Sequence, residues 1–462
     1  MGRPSQTLLR GATLLTQDPA RSAPLRADLL VEGDRIAAIG PVSPGRLQPD
    51  CETIELAGKL VLPGLINTHV HTSQQLARGL ADDVDLLTWL RERTWPFESA
   101  LTPDDSYFSS LACGIELIRS GVTTFGEAGG WHVDGMGAAV ERLGLRAVLS
   151  QSAMDLAEGL PQGWSDTPQA LIDLQRRQHE RWHGAADGRL RHWFGLRTVF
   201  NCSDELMRRT KAEADRLGIG IHMHVAEIPG EIAFMRARSG SSTVEHLHRL
   251  GLLDRNLLAV HAVWLTEREL DLFALHDVKV SHCPAAAMRV LGFAFVPEML
   301  DRGITVGLGT DGAPSNNRMD LIDEMHLTAL IHKGRRLDPA VIPAQAVLRM
   351  ATLDGARALL MGDEIGSLSV GKKADLIVID PRDAATLPVH DPVSAMVYSM
   401  HSRNVEASMC DGRWLMRGRK ILTVNEDEIV DAIQQRAETI RARAGIRPFL
   451  AEPLAAPFTE PT

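Results

Sequence analysis

Eight apolar stretches of strand length, spaced by helix-patterned segments, set the tightest limit on how this chain can fold. They fall at residues 58–65, 121–125, 146–150, 192–196, 219–225, 257–261, 278–282 and 305–310. The first ends in a Pro63-Gly64 break and reads as one buried strand that delivers Leu65-Ile66-Asn67-Thr68-His69-Val70-His71 to a strand end. Strands alternating with helices imply a parallel sheet, and eight such units over about 300 residues predict an α/β fold, a (β/α)8 TIM-like barrel. A doubly wound open sheet is the alternative, but no Gly-x-Gly-x-x-Gly follows the first strand. The polar residues also gather at the C-terminal ends of the strands, where barrel active sites lie.

The two ends of the chain are patterned differently. Residues 29–40 read as a hairpin turning at Gly33-Asp34, and residues 373–380 and 405–416 add strands with a turn at Asp411-Gly412. A small β-sandwich domain built from both termini, residues 1–58 and 365–424, is expected to clasp the barrel of residues 59–364. Residues 425–462 then supply a charged helix with Glu426, Asp427 and Glu428 in its first turn, followed by a Pro-rich tail from residue 447.

Composition excludes several classes of function. A net charge of -10 and a pI near 5.9 argue against a nucleic-acid or anionic-membrane surface. No run of 18 apolar residues offers a membrane span, and the first residues lack the apolar core of a secretory signal. Gln6 stands where a myristoylation signal at Gly2 needs Ser or Thr. Five scattered cysteines make no CxxC pair, so a reducing cytoplasm is expected and any metal must rely on His and carboxylate ligands.

Such ligands are present at the strand ends. His69 and His71 are two apart and project to the same side of a strand. His224 ends a later strand, with Glu227 three residues on; His261 ends the next, and Asp311 follows the last. In a barrel these ends face one axis. Three or four imidazoles with one carboxylate form a divalent-metal site that leaves a position for water.

At these residues the chain resembles the amidohydrolase superfamily over nearly its whole length. The resemblance rests on Leu62-Pro-Gly-Leu-Ile-Asn-Thr-His-Val-His71, Arg78-Gly-Leu-Ala-Asp-Asp83, Gly121-Val-Thr-Thr124, His224-Val-Ala-Glu227, Ser281-His-Cys-Pro284, Gly309-Thr-Asp-Gly-Ala-Pro-Ser-Asn-Asn317 and Gly371-Lys-Lys-Ala-Asp-Leu376. Within that superfamily it is most similar to the amino-hydrolase branch of S-adenosylhomocysteine/5'-methylthioadenosine deaminases, guanine deaminases and s-triazine hydrolases. The resemblance implies that His69, His71, His224 and Asp311 ligate one divalent ion, Zn2+ or else Fe2+. His261 would orient its water, Asp311 would take a proton, and Glu227 would protonate a ring nitrogen. Two-metal members carry a bridging lysine at the fourth strand; Trp193-Phe-Gly-Leu-Arg-Thr198 has none, so one metal is expected.

The implied reaction is hydrolytic deamination of an amino-substituted N-heterocycle, an adenosine-type nucleoside above all. An s-triazine, guanine-type or pterin aminohydrolase or chlorohydrolase is the alternative, and a metal-free scaffold of the same fold is the reading from another class. Residues 89–98 resemble the deaminase segment whose last glutamate binds ribose hydroxyls, which marks Trp95 and Glu98 as substrate contacts. Ser315 and Asn316 match adenosine-type members as well. Departures occur at Leu196-Arg197-Thr198 and Ala285-Ala286-Ala287, and no arginine stands at residues 163–167. Arg197 is therefore read as a new contact to an anionic or carbonyl-bearing substrate. His282 is read as a substrate contact or core residue, and His222 as a residue packed behind His224. A homo-oligomer, dimer or tetramer, is expected, with residues 79–101 and the C-terminal tail as contact segments.

Overall fold

The computed structural model describes residues 6–447, so the tail expected beyond residue 447 lies outside the described residues. Its centre is a ring of eight parallel strands: β1 (Leu65–Val70), β2 (Val122–Glu127), β3 (Arg146–Leu149, continued by Ser152–Ala153), β4 (Leu190–His192, continued by Phe194–Leu196), β5 (Ile221–Val225), β6 (Leu257–His261), β7 (Lys279–His282) and β8 (Val306–Leu308). Neighbours pair in order. The ring closes where Leu308 of β8 lies opposite Asn67 of β1. Both β3 and β4 are jogged at mid-length, and Gly195 makes the jog possible: a Cβ there would stand 2.4 Å from the Gln151 carbonyl oxygen. Every residue of β1, β2, β5 and β6 is buried, as befits a parallel sheet covered on both faces.

The helices follow local signals. The one expected over residues 209–217 begins earlier, at Asp204–Leu217, because the Ser203 side chain accepts from Leu206 N and caps the first turn; Gly218 ends it in the left-handed region. Residues 79–101, expected as loop, contain helical turns at Leu86–Thr88, Trp89–Thr94 and Trp95–Ser99. The Trp89 indole N–H donates to the Pro314 carbonyl at 3.3 Å, which draws this segment over the mouth of the ring.

The first apolar stretch needs a correction, for it holds two strands and not one. Leu60–Pro63 joins a separate nine-stranded sheet, lying between Thr13-Leu14 and Leu376–Ile379. The chain then changes sheets at Gly64, whose N–H still bonds Asp375 O while Leu65 N–H bonds Gly121 O. No other residue fits there: a Cβ on Gly64 would fall 2.0 Å from Thr123 Oγ1. The nine-stranded sheet takes strands from both termini and encloses its own core, including Leu9, Leu29, Val61 and Leu376. A bridge between Arg35 and Lys373 brings its far strand back over the middle.

Two contacts fix the surrounding parts to the barrel. The C-terminal helix, Glu426–Arg443, lies on the helix Pro103–Arg119 through a bidentate Arg119–Glu426 pair at 2.5 and 2.6 Å. Arg146, 1% exposed at the start of β3, donates to both oxygens of Asp375 at 2.8 and 3.1 Å and to Asp411 at 3.3 Å. No helix among the described residues is long and apolar enough to cross a membrane. Replacing Arg146 by Met strands two buried carboxylates and is expected to lower unfolding free energy by about 3–5 kcal/mol, read by denaturant titration. The double variant Arg146→Met, Asp375→Asn should recover part of that loss; a single variant within ~0.5 kcal/mol of wild type would show the pair to be dispensable.

Candidate metal centre and active site

Closure of the ring brings six predicted side chains to its C-terminal mouth. His69 lies in β1 and His71 one residue beyond it, with ring centroids 5.0 Å apart and planes at 85°. Their Nε2 atoms stand 3.4 and 3.5 Å from Asp311 Oδ1. Ligand atoms of His69, His224 and His261 lie within 4.8 Å of one another, as do those of His69, His71 and Asp311. All five residues are buried.

The backbone is bent to aim them. Ala226, His261 and Asp311 have φ of 52°, 68° and 61°, in the left-handed region that non-glycine residues rarely occupy. Strain of this kind persists only where surrounding bonds enforce it. Here Asp311 N–H bonds His69 O at 3.0 Å, and Ala262 N–H bonds Val225 O at 3.1 Å. Glu231, fully buried, accepts from the N–H groups of Ala226 and Glu227 at 2.8 and 3.0 Å and fixes the turn that carries Glu227.

The donor chemistry fits a divalent transition metal. His224 Nδ1 is 3.0 Å from the Arg197 carbonyl, which can only accept, so Nδ1 carries the proton and Nε2 keeps its lone pair. His69 Nδ1 meets His222 Nε2 at 2.8 Å, which places His222 behind the cluster, while His69 Nε2 is buried with no hydrogen-bond partner. Burial, reinforced by the charge of Arg197, holds His71 and His224 well below the usual histidine value, and burial takes His261 down to about 3. Burial pushes the Asp311 carboxyl up, but His69 above all, with His261 and His224, keeps it ionised. Neutral imidazoles and one carboxylate around a common point are a ligand set for zinc or iron(II). Among the described strand-end residues of β4 no lysine offers a bridge to a second ion.

Glu227 faces the same point, its Oε1 3.6 Å from His261 Nε2. Burial, with the charges of Asp311 and Glu231, pushes its carboxyl up to about 8, so it carries a proton at neutral pH. The centre opens into a cavity of about 590 Å³, lined on its polar side by Arg197, Trp95 and Ser315. Its apolar wall, with Leu86, Leu90, Phe200, Phe234 and Leu291, was not foreseen from sequence.

Three expected substrate contacts stand elsewhere. Glu98 is buried, accepts from Gln74 Nε2 at 2.9 Å and is not among the lining residues. Asn316 spends its amide on Thr310 O at 2.9 Å and Glu324 Oε1 at 2.7 Å. His282 is packed against His332, ring centroids 5.4 Å apart, behind the lining. Sequence reasoning also missed Glu231, although an acidic residue in the first turn of the helix Pro229–Ser239 was a visible signal.

A closed eight-stranded barrel with a histidine-rich candidate metal site at its C-terminal mouth defines a hydrolytic barrel enzyme. Residues 60–415 match the model of the Amidohydrolase family, and the chain belongs to that family. It is an enzyme that hydrolyses C–N bonds. It is 37% identical over 440 residues to a 5'-deoxyadenosine deaminase of Methanosarcina acetivorans, covering 95% of this chain and 99% of that one. It is 39% identical over 412 residues to a 5-methylthioadenosine/S-adenosylhomocysteine deaminase of Moorella thermoacetica, covering 88% and 94%. Among solved structures, an adenosine deaminase from Xanthomonas campestris with bound zinc superposes with a TM-score of 0.89 at 28% identity, over 96% of this chain and 100% of that one. An atrazine chlorohydrolase from Arthrobacter aurescens complexed with zinc gives 0.86 at 26% identity, over 93% and 100%.

Purified protein is expected to hold about one equivalent of divalent metal per chain by elemental analysis. His224→Ala and Asp311→Ala should each lose most of it, and chelation should lower the unfolding temperature of wild type but not of these variants. Full retention of metal by both would remove this cluster as the site.

Proposed function

We propose that this protein is a metal-dependent hydrolytic deaminase of amino-substituted N-heterocycles, foremost an adenosine-type nucleoside, and that it releases ammonia. The observation that carries this reading is a protonated carboxyl, Glu227, set beside neutral imidazoles and one ionised carboxylate on the floor of a cavity. The names of the deaminase relatives support the nucleoside class. The likeness to a chlorohydrolase of atrazine supports s-triazine, guanine-type or pterin rings as the second reading. Five free cysteines suit a reducing cytoplasm.

His69, His71, His224 and Asp311 would hold one divalent ion, zinc by the donor set and by the zinc in both similar structures, with iron(II) suited to the same ligands. When bound, such an ion supplies Lewis acidity and makes hydroxide available from water at neutral pH. Asp311 Oδ1 already accepts from Gly312 N–H at 2.7 Å and faces His69 and His71, so Oδ2 is left to take a proton from the attacking water. His261, with Nε2 4.0 Å from Oδ2, orients that water. Glu227 gives its proton to a ring nitrogen, and the neighbouring carbon becomes electrophilic. The water oxygen adds to that carbon, and the tetrahedral centre expels its amine as ammonia after the amine gains a proton. The oxygen stays as a ring carbonyl.

Glu227→Gln is expected to keep its metal and lose about 10²–10⁴-fold in kcat. A rate near wild type in a continuous ammonia assay would show that Glu227 is not the acid. Absence of ammonia release from adenosine derivatives, guanine-type bases, pterins and triazines alike would remove the deaminase reading.

A further inference from the structure

Three arginines are buried among the described residues, and two of them are satisfied. Arg146 is bonded to Asp375 and Asp411, and Arg189 donates to the Leu145 carbonyl at 2.9 Å. The third, Arg197, is 8% exposed and lines the cavity, yet among the described residues its guanidinium has neither a hydrogen bond nor an ion pair. A buried cation without a partner is unfavourable, so the side chain is built to meet an acceptor that the protein itself does not supply. The nearby buried carboxylate Glu98 does not serve; it is held by Gln74.

The location of the charge narrows what that acceptor can be. Arg197 is rooted at the centre, since its carbonyl takes both the N–H and the Nδ1–H of His224, at 3.2 and 3.0 Å. After burial, its charge is the largest influence on both His71 and His224, and it also reaches His261, Glu227 and Glu98. The guanidinium therefore stands at the inner end of the cavity, beside the groups that face the reacting ring, and not at the apolar outer wall. A divalent ion on His71 and His224 would place a second positive charge close by, which makes an intervening oxygen acceptor still more favourable. Arginine presents planar donors only, stays charged, and matches an in-plane oxygen.

We propose that Arg197 selects substrates whose amino-bearing ring also carries an oxygen acceptor, a ring carbonyl or its enolate. This rests on the deaminase reading and adds a substrate class, the oxo-amino heterocycle, to the nucleosides named for the relatives.

The test compares ammonia release by the metal-loaded protein from guanine and pterin, which carry the oxygen, with release from adenosine and 5'-deoxyadenosine, whose rings do not. In Arg197→Met, kcat/KM for the oxygen-bearing rings is expected to fall about 10- to 100-fold further than for adenosine, chiefly through KM. Arg197→Lys, which keeps the charge and loses the planar fork, should fall between. Metal content equal to wild type shows that the variants keep the centre. Independently of any variant, hypoxanthine should inhibit wild type about tenfold more tightly than purine, which lacks the oxygen. Equal losses for both substrate classes, equal inhibition by purine and hypoxanthine, or turnover of adenosine with none of the oxygen-bearing rings would each overturn the proposal and leave the deaminase reading standing. No ammonia from either class would overturn both.

Discussion

The seam between the first and last barrel strands is the contact on which the centre depends. In backbone terms it is short, a single paired position at Leu308 and Asn67. Side chains extend it: Asn67 donates to Thr310 Oγ1 at 2.8 Å and accepts from Thr310 N–H at 3.2 Å, while Thr68 donates to Leu308 O at 2.9 Å. The same seam carries the bond from Asp311 N–H to His69 O, so the carboxylate and the two-histidine strand are held together by the bonds that close the ring. A ring left open here would separate Asp311 from His69 and His71 however well each strand formed. The buried polar residues of β1 therefore have a structural reason as well as a chemical one, because every one of them must find a partner in a dry interior.

Charge follows from that geometry. Crowded imidazoles in a dry pocket resist protonation, since each proton would be poorly solvated and close to the next. Neutral rings leave lone pairs directed at a point beside an ionised Asp311, and that arrangement favours a cation there. The same dryness acts in the opposite direction on Glu227, which has Asp311 and Glu231 nearby and keeps its proton. One environment thus yields an ionised and a protonated carboxyl a few residues apart in space, the pairing that acid and base roles require.

How much of this could be read from the sequence depended on whether the signal was local. Histidines at the ends of apolar strands are residue types out of place in a buried segment, so His69, His71, His224 and His261 stand out without any structure. Asp311 stands out for the same reason, after the apolar stretch of β8. The hairpins at Gly33-Asp34 and Asp411-Gly412 form where their turn chemistry puts them. The change of sheet at Gly64 was hidden, because both strands around it are apolar and only the approach of Thr123 separates them. Glu98 misled for the converse reason: its segment has the right pattern, but the helical turns of residues 86–99 direct that carboxylate to Gln74 and leave Trp95 at the lining. Glu231 was missed because its partners are backbone N–H groups, which no residue type advertises.

The chain also separates what makes it stable from what makes it reactive. Arg146 begins β3 and binds Asp375 and Asp411 of the nine-stranded sheet, at the end of the barrel opposite the candidate centre. There a buried charge is fully paired, and the backbone around it lies in regular strands. At the other end, His261 and Asp311 hold left-handed φ values and Arg197 waits for an acceptor. Strain and unpaired charge both cost stability, so they persist where a ligand relieves them or a reaction uses them. That asymmetry, more than the number of histidines, argues that the mouth of this barrel is a working site and not a packed end: a scaffold with no ligand to bind would gain stability from any change that relaxed those turns or removed that guanidinium.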